Sequence, residues 1–135
     1  MNWSKYSLDE WLEQFGAWCE SCRMQTGHYP DNLQVNLIDK LMVETGYKKL
    51  PTHKNTVELK ISDDEALQVQ DLILSVYRRA DNDMKQSLKY LFNHFVHGYS
   101  LRKIADICEI SKHETERKIY GAKCFITGVY NFIRI

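Results

Sequence analysis

The stretch that decides the fold is residues 98–115, GYSLRKIADICEISKHET, because it contains two helix starts in quick succession. Ser100 and Ser111 both belong to the residue types that cap a helix N-terminus with a side-chain oxygen. Gly98 tolerates a positive φ and therefore suits the end of the preceding helix. We predict a short helix, a sharp turn and a second helix, which together form a helix-turn-helix.

Apolar residues continue this pattern at helical spacing, so each of the two helices has one face to bury. Ala105 is small, which lets the second helix cross close to the first. Ile110 fills the turn, and Thr115 is expected in a buried slot before Ile119. The positions predicted to face inward are Leu101, Ile104, Ala105, Cys108, Thr115, Ile119, Ala122 and Phe125 or Ile126.

The other side of the second helix is polar and carries several basic side chains. In a DNA-binding helix-turn-helix this helix enters the major groove, and its first two turns meet base edges. Arg117 can then read guanine, and Glu114 can accept a hydrogen bond from cytosine. Phosphate contacts, which position the protein without specifying sequence, are predicted for Arg102, Lys103, Lys118 and Lys123. The full set of predicted DNA-binding residues is Arg102, Lys103, Ser111, Lys112, His113, Glu114, Arg117, Lys118 and Lys123.

The chain of 135 residues has no formal net charge, yet its charges are unevenly distributed. Residues 1–83 carry 9 Lys/Arg against 14 Asp/Glu, a balance of −5, and residues 84–135 carry 9 against 4, a balance of +5. A basic C-terminal part favours a polyanionic partner. We predict an N-terminal helical body, residues 1–83, and a DNA-binding region, residues 84–135. The alternative is a plain helical hairpin with a solvated outer face.

The remainder of the chain also predicts helices. Ser7-x-x-Glu10 and Ser62-x-x-Glu65 are capping boxes, and Asp81 suits the cap of another helix. A further helix is expected between a cap at Asp31 or Asn32 and a break at Gly46, followed by a loop over residues 46–60. Convincing alternating strands and internal repeats are absent from the sequence. The predicted fold class is therefore all-α, with about six helices.

Several other classes of protein are disfavoured. No apolar run reaches the ~18 residues that a membrane span needs, and the N-terminus lacks an apolar signal-peptide core. We expect a cytoplasmic location and reduced cysteines. The sequence has no Gly-rich phosphate loop or nucleophile motif, so we expect no enzyme activity and no cofactor.

A metal site is also not expected. Cys19-x-x-Cys22 is half of a zinc motif, and packing is the favoured role of these thiols. His94 and His97 have the spacing to share a helical face but lack an evident third ligand. The acids of residues 63–65 suit the N-terminus of a helix electrostatically.

Three segments resemble the Q-type antitermination proteins of lambdoid phages, in the short family that lacks a zinc finger. The first is LDEWLEQFGAWCES, residues 8–21, and the second is SDDEALQVQDLILSVYRR, residues 62–79. The third is YLFNHFVHGYSLRKIADICEISKHETERKIYGAKCFITGVY, residues 90–130, which is similar to region 4 of bacterial sigma factors.

The resemblance implies a mechanism. Such proteins bind double-stranded DNA beside a phage late promoter and load onto RNA polymerase holoenzyme at a promoter-proximal pause. The loaded polymerase then reads through terminators in the host cytoplasm, because the protein narrows the RNA exit channel and hinders terminator hairpins. Residues 98–124 would hold the DNA, the N-terminal body would face polymerase, and two protomers on one DNA element are compatible with the family.

Two alternatives stay open. One is a phage transcription factor that binds DNA and acts at initiation, which differs from an antiterminator only in producing no terminator read-through. The other is a sigma-like interaction module that binds polymerase without reading DNA, and whose activity would survive neutralisation of Lys112, Arg117 and Lys118.

Overall fold

The computed structural model describes residues 1–26 and 58–135, in which all regular secondary structure is helical. The elements are a short 3-10 helix, Trp3–Lys5, followed by α1 (Leu8–Thr26), α2 (Asp63–Arg79), α3 (Asn82–Phe95), α4 (Leu101–Cys108) and α5 (Lys112–Val129). The all-α prediction is confirmed. The helix predicted between Asp31 or Asn32 and Gly46, and most of the loop predicted over residues 46–60, lie outside the described residues.

Each of the early helices begins at its predicted cap. Ser7 Oγ accepts from the backbone N–H of Glu10 at 3.4 Å, and the N–H of Ser7 donates to the Glu10 carboxylate at 3.3 Å. Ser62 and Glu65 form the same reciprocal box, and Asp81 caps α3. Hydrogen bonds from the Ser7 side chain and the Ser62 backbone lower the pKa of Glu10 and Glu65, respectively. Both carboxylates are therefore stabilised in the charged form, which accepts these hydrogen bonds.

One hydrophobic cluster includes residues of all five α-helices. Helix α1 packs against α2 and α3, α3 packs against α4 and α5, and α4 packs against α5. Trp11 and Trp18 of α1 are both buried. The largest side chains that are fully buried are Trp11, Phe15, Phe92, Leu8, Leu12, Ile73, Leu88, Leu91, Ile104 and Ile126.

Polar contacts attach α1 to the start of α2. The indole N–H of Trp18 donates to Asp63 Oδ1 at 2.9 Å. The buried amide of Gln14 donates to the carbonyl of Glu58 at 2.9 Å and accepts from the N–H of Lys60 at 2.6 Å. Asp63 at the N-terminus of α2 is therefore hydrogen-bonded to Trp18 of α1.

The two ends of the chain lie together against α1. The N–H of Leu8 donates to the carbonyl of Arg134 at 2.8 Å. Trp11 donates its indole N–H to the carbonyl of Trp3 at 3.0 Å, and the rings of Trp3 and Phe132 have centroids 5.7 Å apart. The C-terminal residues therefore cover the first turn of α1.

Gly16 lies where α1 meets the end of α3. A Cβ at Gly16 would overlap the carbonyl oxygen of Val96 and lie 3.1 Å from the Val96 Cα. Because both obstructing atoms belong to the backbone, no side-chain rotation can relieve the overlap. Only glycine therefore allows this approach of the two helices.

We expect Gly16→Ala to lower the free energy of unfolding by about 1–3 kcal/mol, because it overpacks this helix contact. Gly128→Ala is the matched control, since a Cβ at Gly128 meets no atom within 4 Å. The control should raise stability by up to about 1 kcal/mol through helix propensity. Urea denaturation followed by circular dichroism measures both changes. A Gly16→Ala protein as stable as the wild type would contradict the close approach.

Candidate nucleic-acid interface

The connection between α4 and α5 is a tight turn of three residues. Glu109 caps the C-terminus of α4 and adopts a left-handed conformation with φ 57° and ψ 40°. Ser111 then starts α5, and its Oγ accepts from the backbone N–H of Glu114 at 3.0 Å. Gly98 has a φ of 75°, as predicted for the break before α4. Sequence reasoning missed Glu109, because glycine is the usual residue for this conformation.

The inner faces of α4 and α5 are buried much as their spacing predicted. Thr115 is 0% exposed, and its hydroxyl donates to the carbonyl of Ser111 at 3.0 Å. Of the two candidates near the end of α5, Ile126 is fully buried and Phe125 is half-buried. Leu101, Cys108 and Ile110 are also half-buried. The other predicted inward positions are buried, namely Ile104, Ala105, Ile119 and Ala122.

Tyr90 of α3 also lies in this buried layer. Its hydroxyl accepts a hydrogen bond from Gln86 Nε2 at 2.8 Å. Burial raises the pKa of the Tyr90 phenol, and the neighbouring Cys108 adds to the effect. The phenol is therefore neutral at physiological pH and serves as a packing group beneath the two helices.

Burial of one face leaves the other face of α5 in solvent. Most of the residues predicted to contact DNA are exposed, namely Arg102, Lys103, Ser111, Lys112, His113 and Arg117. Glu114, Lys118 and Lys123 are half-buried. The DNA contacts themselves stay a prediction, and the geometry shows which of these side chains lie close together.

Ion pairs along α5 join several of these side chains. Arg117 donates two hydrogen bonds to Glu114, one from Nη2 to Oε1 at 2.8 Å and one from Nε to Oε2 at 3.1 Å. Lys118 Nζ lies 3.9 Å from the same carboxylate, and Lys112 lies 3.9 Å from Glu116. The hydrogen bond from Arg117 lowers the pKa of Glu114, and the same bond raises the pKa of Arg117.

The basic residues of α4 differ from those of α5. Arg102 and Lys103 are exposed, and within residues 1–26 and 58–135 neither has a carboxylate at ion-pair distance. Lys103 Nζ lies 5.3 Å from the centroid of the Tyr99 ring, a favourable cation–π position. These two side chains therefore retain positive charge available to a polyanion.

Lys123 is separate from the other predicted contacts. Its ammonium lies 2.8 Å from Asp9 Oδ2 of α1 and 4.9 Å from the centroid of the Phe95 ring. The side chain is only 16% exposed, so its predicted place on the exposed side of α5 is wrong. The physical reason is helical spacing, because position 123 is one turn after the buried Ile119. Sequence reasoning missed its partner Asp9, since the two are far apart along the chain.

Glu13 interacts electrostatically with Asp9 of this ion pair and also with His94. His94 Nδ1 lies 2.7 Å from the carbonyl oxygen of Tyr99, which fixes the ring beside the turn before α4. Burial raises the pKa of Glu13 on α1, and Asp9 and Glu10 reinforce the shift.

In the part of the chain that the structure describes, no group of three or more His, Cys, Asp or Glu side chains is arranged to bind a metal ion.

We expect Lys123→Ala to lower the free energy of unfolding by about 1–3 kcal/mol, because it leaves the partly buried Asp9 carboxylate without its cation. Asp9→Asn should lower the free energy of unfolding by a similar amount. The double variant should lower it by less than the sum of the two single changes. Lys112→Ala, which removes an exposed lysine of the same helix, is the control and should change stability by less than about 0.5 kcal/mol. Thermal and urea denaturation provide the values. Strict additivity of the Lys123 and Asp9 changes would contradict the ion pair.

Comparison of the sequence with known protein families identifies one match. A family model described as phage antitermination protein Q matches residues 5–135, a range that includes the five α-helices that the structure describes. No curated protein and no solved structure matches the chain. Within the described residues, no helix combines the length and apolarity needed to cross a membrane. Because the match extends over nearly the whole sequence, the chain belongs to the phage antitermination protein Q family, a family of phage transcription regulators.

Proposed function

We propose that this antitermination protein binds double-stranded DNA by placing the first two turns of α5 in the major groove. The observation that carries the proposal is that Lys112, His113 and Arg117 are exposed on the turns directly after the Ser111 cap. Buried Thr115 lies on the opposite side and supports this part of the helix. A helix held in this way can present side chains to base edges without moving its backbone.

Sequence-independent affinity comes from the basic residues around α5. Arg102 and Lys103 at the start of α4 and Lys118 on the flank of α5 reach phosphates on either side of the groove. The excess of 9 Lys/Arg over 4 Asp/Glu in residues 84–135 adds a favourable field. Binding should therefore weaken log-linearly with salt, as counterions are released from the phosphates.

The second partner in the proposal is RNA polymerase holoenzyme. A protein that suppresses termination acts on the transcribing enzyme, and family membership supports this assignment. The helical body of residues 1–83, with its acidic balance of −5, is our candidate for the polymerase-facing part. The DNA element, beside the late promoter, then delivers the protein to a paused polymerase, with room for a second protomer on the DNA.

One observation favours a second candidate function. The ion pairs on α5 place Glu114 and Glu116 among the basic side chains, so the outer face is nearly charge-balanced. A balanced face suits a protein partner as well as DNA. The alternative is therefore a sigma-like module that binds polymerase through α5 without reading DNA.

The proposal is tested by transcription in vitro with host RNA polymerase, late-promoter DNA of the encoding phage and a downstream intrinsic terminator. Wild-type protein should give read-through that depends on the promoter-proximal DNA element. Lys112→Ala/Arg117→Ala should weaken binding to that element at least about tenfold, because it removes two cationic side chains that are proposed to contact base edges. Read-through should fall in parallel. Lys85→Ala/Arg134→Ala, an equal change of charge outside α4 and α5, is the matched control and should retain both activities.

The other outcomes identify the alternatives. DNA binding that changes initiation without read-through would make the protein an initiation regulator. Read-through that survives the Lys112/Arg117 change, without measurable DNA binding, would establish the interaction module and contradict the proposal.

A further inference from the structure

Arg117 and Glu114 form the best-defined ion pair on the outer face of α5. The two hydrogen bonds use the Nε–H and one N–H of Nη2. A guanidinium has five N–H donors in a fixed plane. Glu114 therefore leaves three of them unused, namely both N–H groups of Nη1 and the second N–H of Nη2. Those remaining donors form the end of the fork that pairs with O6 and N7 of guanine.

The pair is also asymmetric in its exposure to solvent. The Glu114 side chain is 30% exposed, and the Arg117 side chain is 70% exposed. Glu114 follows the capping turn at Ser111 and precedes the fully buried Thr115, so its backbone position is well defined. The carboxylate therefore lies inward and holds a guanidinium that projects outward, in the direction of an incoming duplex.

We infer that Glu114 is a positioning residue, which orients Arg117 for a base contact and disfavours DNA that lacks the matching base. This inference rests on the proposed DNA-binding function and specifies how that site discriminates. It replaces the direct reading of cytosine by Glu114, because the two hydrogen bonds from Arg117 orient the carboxylate toward the guanidinium.

Two physical effects produce the discrimination. A pre-oriented guanidinium loses less rotamer freedom when it meets guanine, which strengthens binding to the correct duplex. A carboxylate in the same groove repels phosphates and base acceptors unless Arg117 compensates for it, which weakens binding to every other duplex. The lowered pKa of Glu114 keeps the carboxylate charged throughout the neutral range.

Glu116 supplies a matched control on the same helix. It carries the same charge, is exposed, and lies 3.9 Å from Lys112 in a single long contact. A change from Glu to Gln removes one negative charge at either position. Only the change at Glu114 also removes the two-bond grip on an arginine.

The test measures dissociation constants by fluorescence anisotropy for the promoter-proximal element and for a scrambled duplex of equal length and composition. The measure of specificity is the dissociation constant for the scrambled duplex divided by that for the element. Glu114→Gln should reduce this ratio at least about fivefold, which is within the discrimination that one bidentate base contact supplies. Glu116→Gln should tighten binding to both duplexes and leave the ratio within about twofold. In the Arg117→Ala background, Glu114→Gln should leave the ratio unchanged. Since each ratio compares two duplexes with one protein sample, a partly inactive variant does not alter it.

The contrary results are distinct from one another. An unchanged ratio for Glu114→Gln would overturn the inference while leaving DNA binding intact. An equal loss of discrimination with and without Arg117 would also overturn it, because Glu114 would then read a base directly. Wild-type protein that does not distinguish the two duplexes would instead refute the proposed sequence-specific DNA binding on which the inference rests.

Discussion

Burial of the inner face of α5 is the constraint on which the remaining geometry depends. Thr115, Ile119, Ala122 and Ile126 are all nearly inaccessible to solvent, and α5 packs against α3 and α4. Because residues three and four apart share a helical face, this burial determines which side chains project outward. The exposed positions of Lys112 and Arg117, and the ion pair between Arg117 and Glu114, follow from it.

The same packing joins the interface to the rest of the protein. A single cluster of buried residues runs through α1 to α5, and the Lys123–Asp9 ion pair links α5 directly to α1. The proposed body of residues 1–83 and DNA-binding region of residues 84–135 therefore share one core. A shared core gives a partner bound to the body a defined orientation relative to DNA held by α5, which suits a protein proposed to bridge the two.

The features that could be predicted from the sequence are those that depend on residues close together along the chain. The caps at Ser62, Ser100 and Ser111 depend on residues within one turn, and the inward positions of α5 follow helical periodicity. Contacts between distant segments could not be predicted in the same way. The approach of Gly16 to Val96 and the partner of Lys123 depend on how the helices meet, which no local pattern specifies. The ion pair between Glu114 and Arg117 could have been predicted, since residues three apart are neighbours on a helix surface.

The central claim, that the outer face of α5 reads base edges, is tested most directly by methylation protection of guanine N7 on the promoter-proximal element. Dimethyl sulfate attacks this atom from the major groove, where α5 is proposed to lie. Wild-type protein should protect guanines in one short tract, and Arg117→Ala, at concentrations that saturate the DNA, should lose protection at one guanine while retaining the rest. Absence of protection, or a pattern that Arg117→Ala leaves unchanged, would contradict the claim.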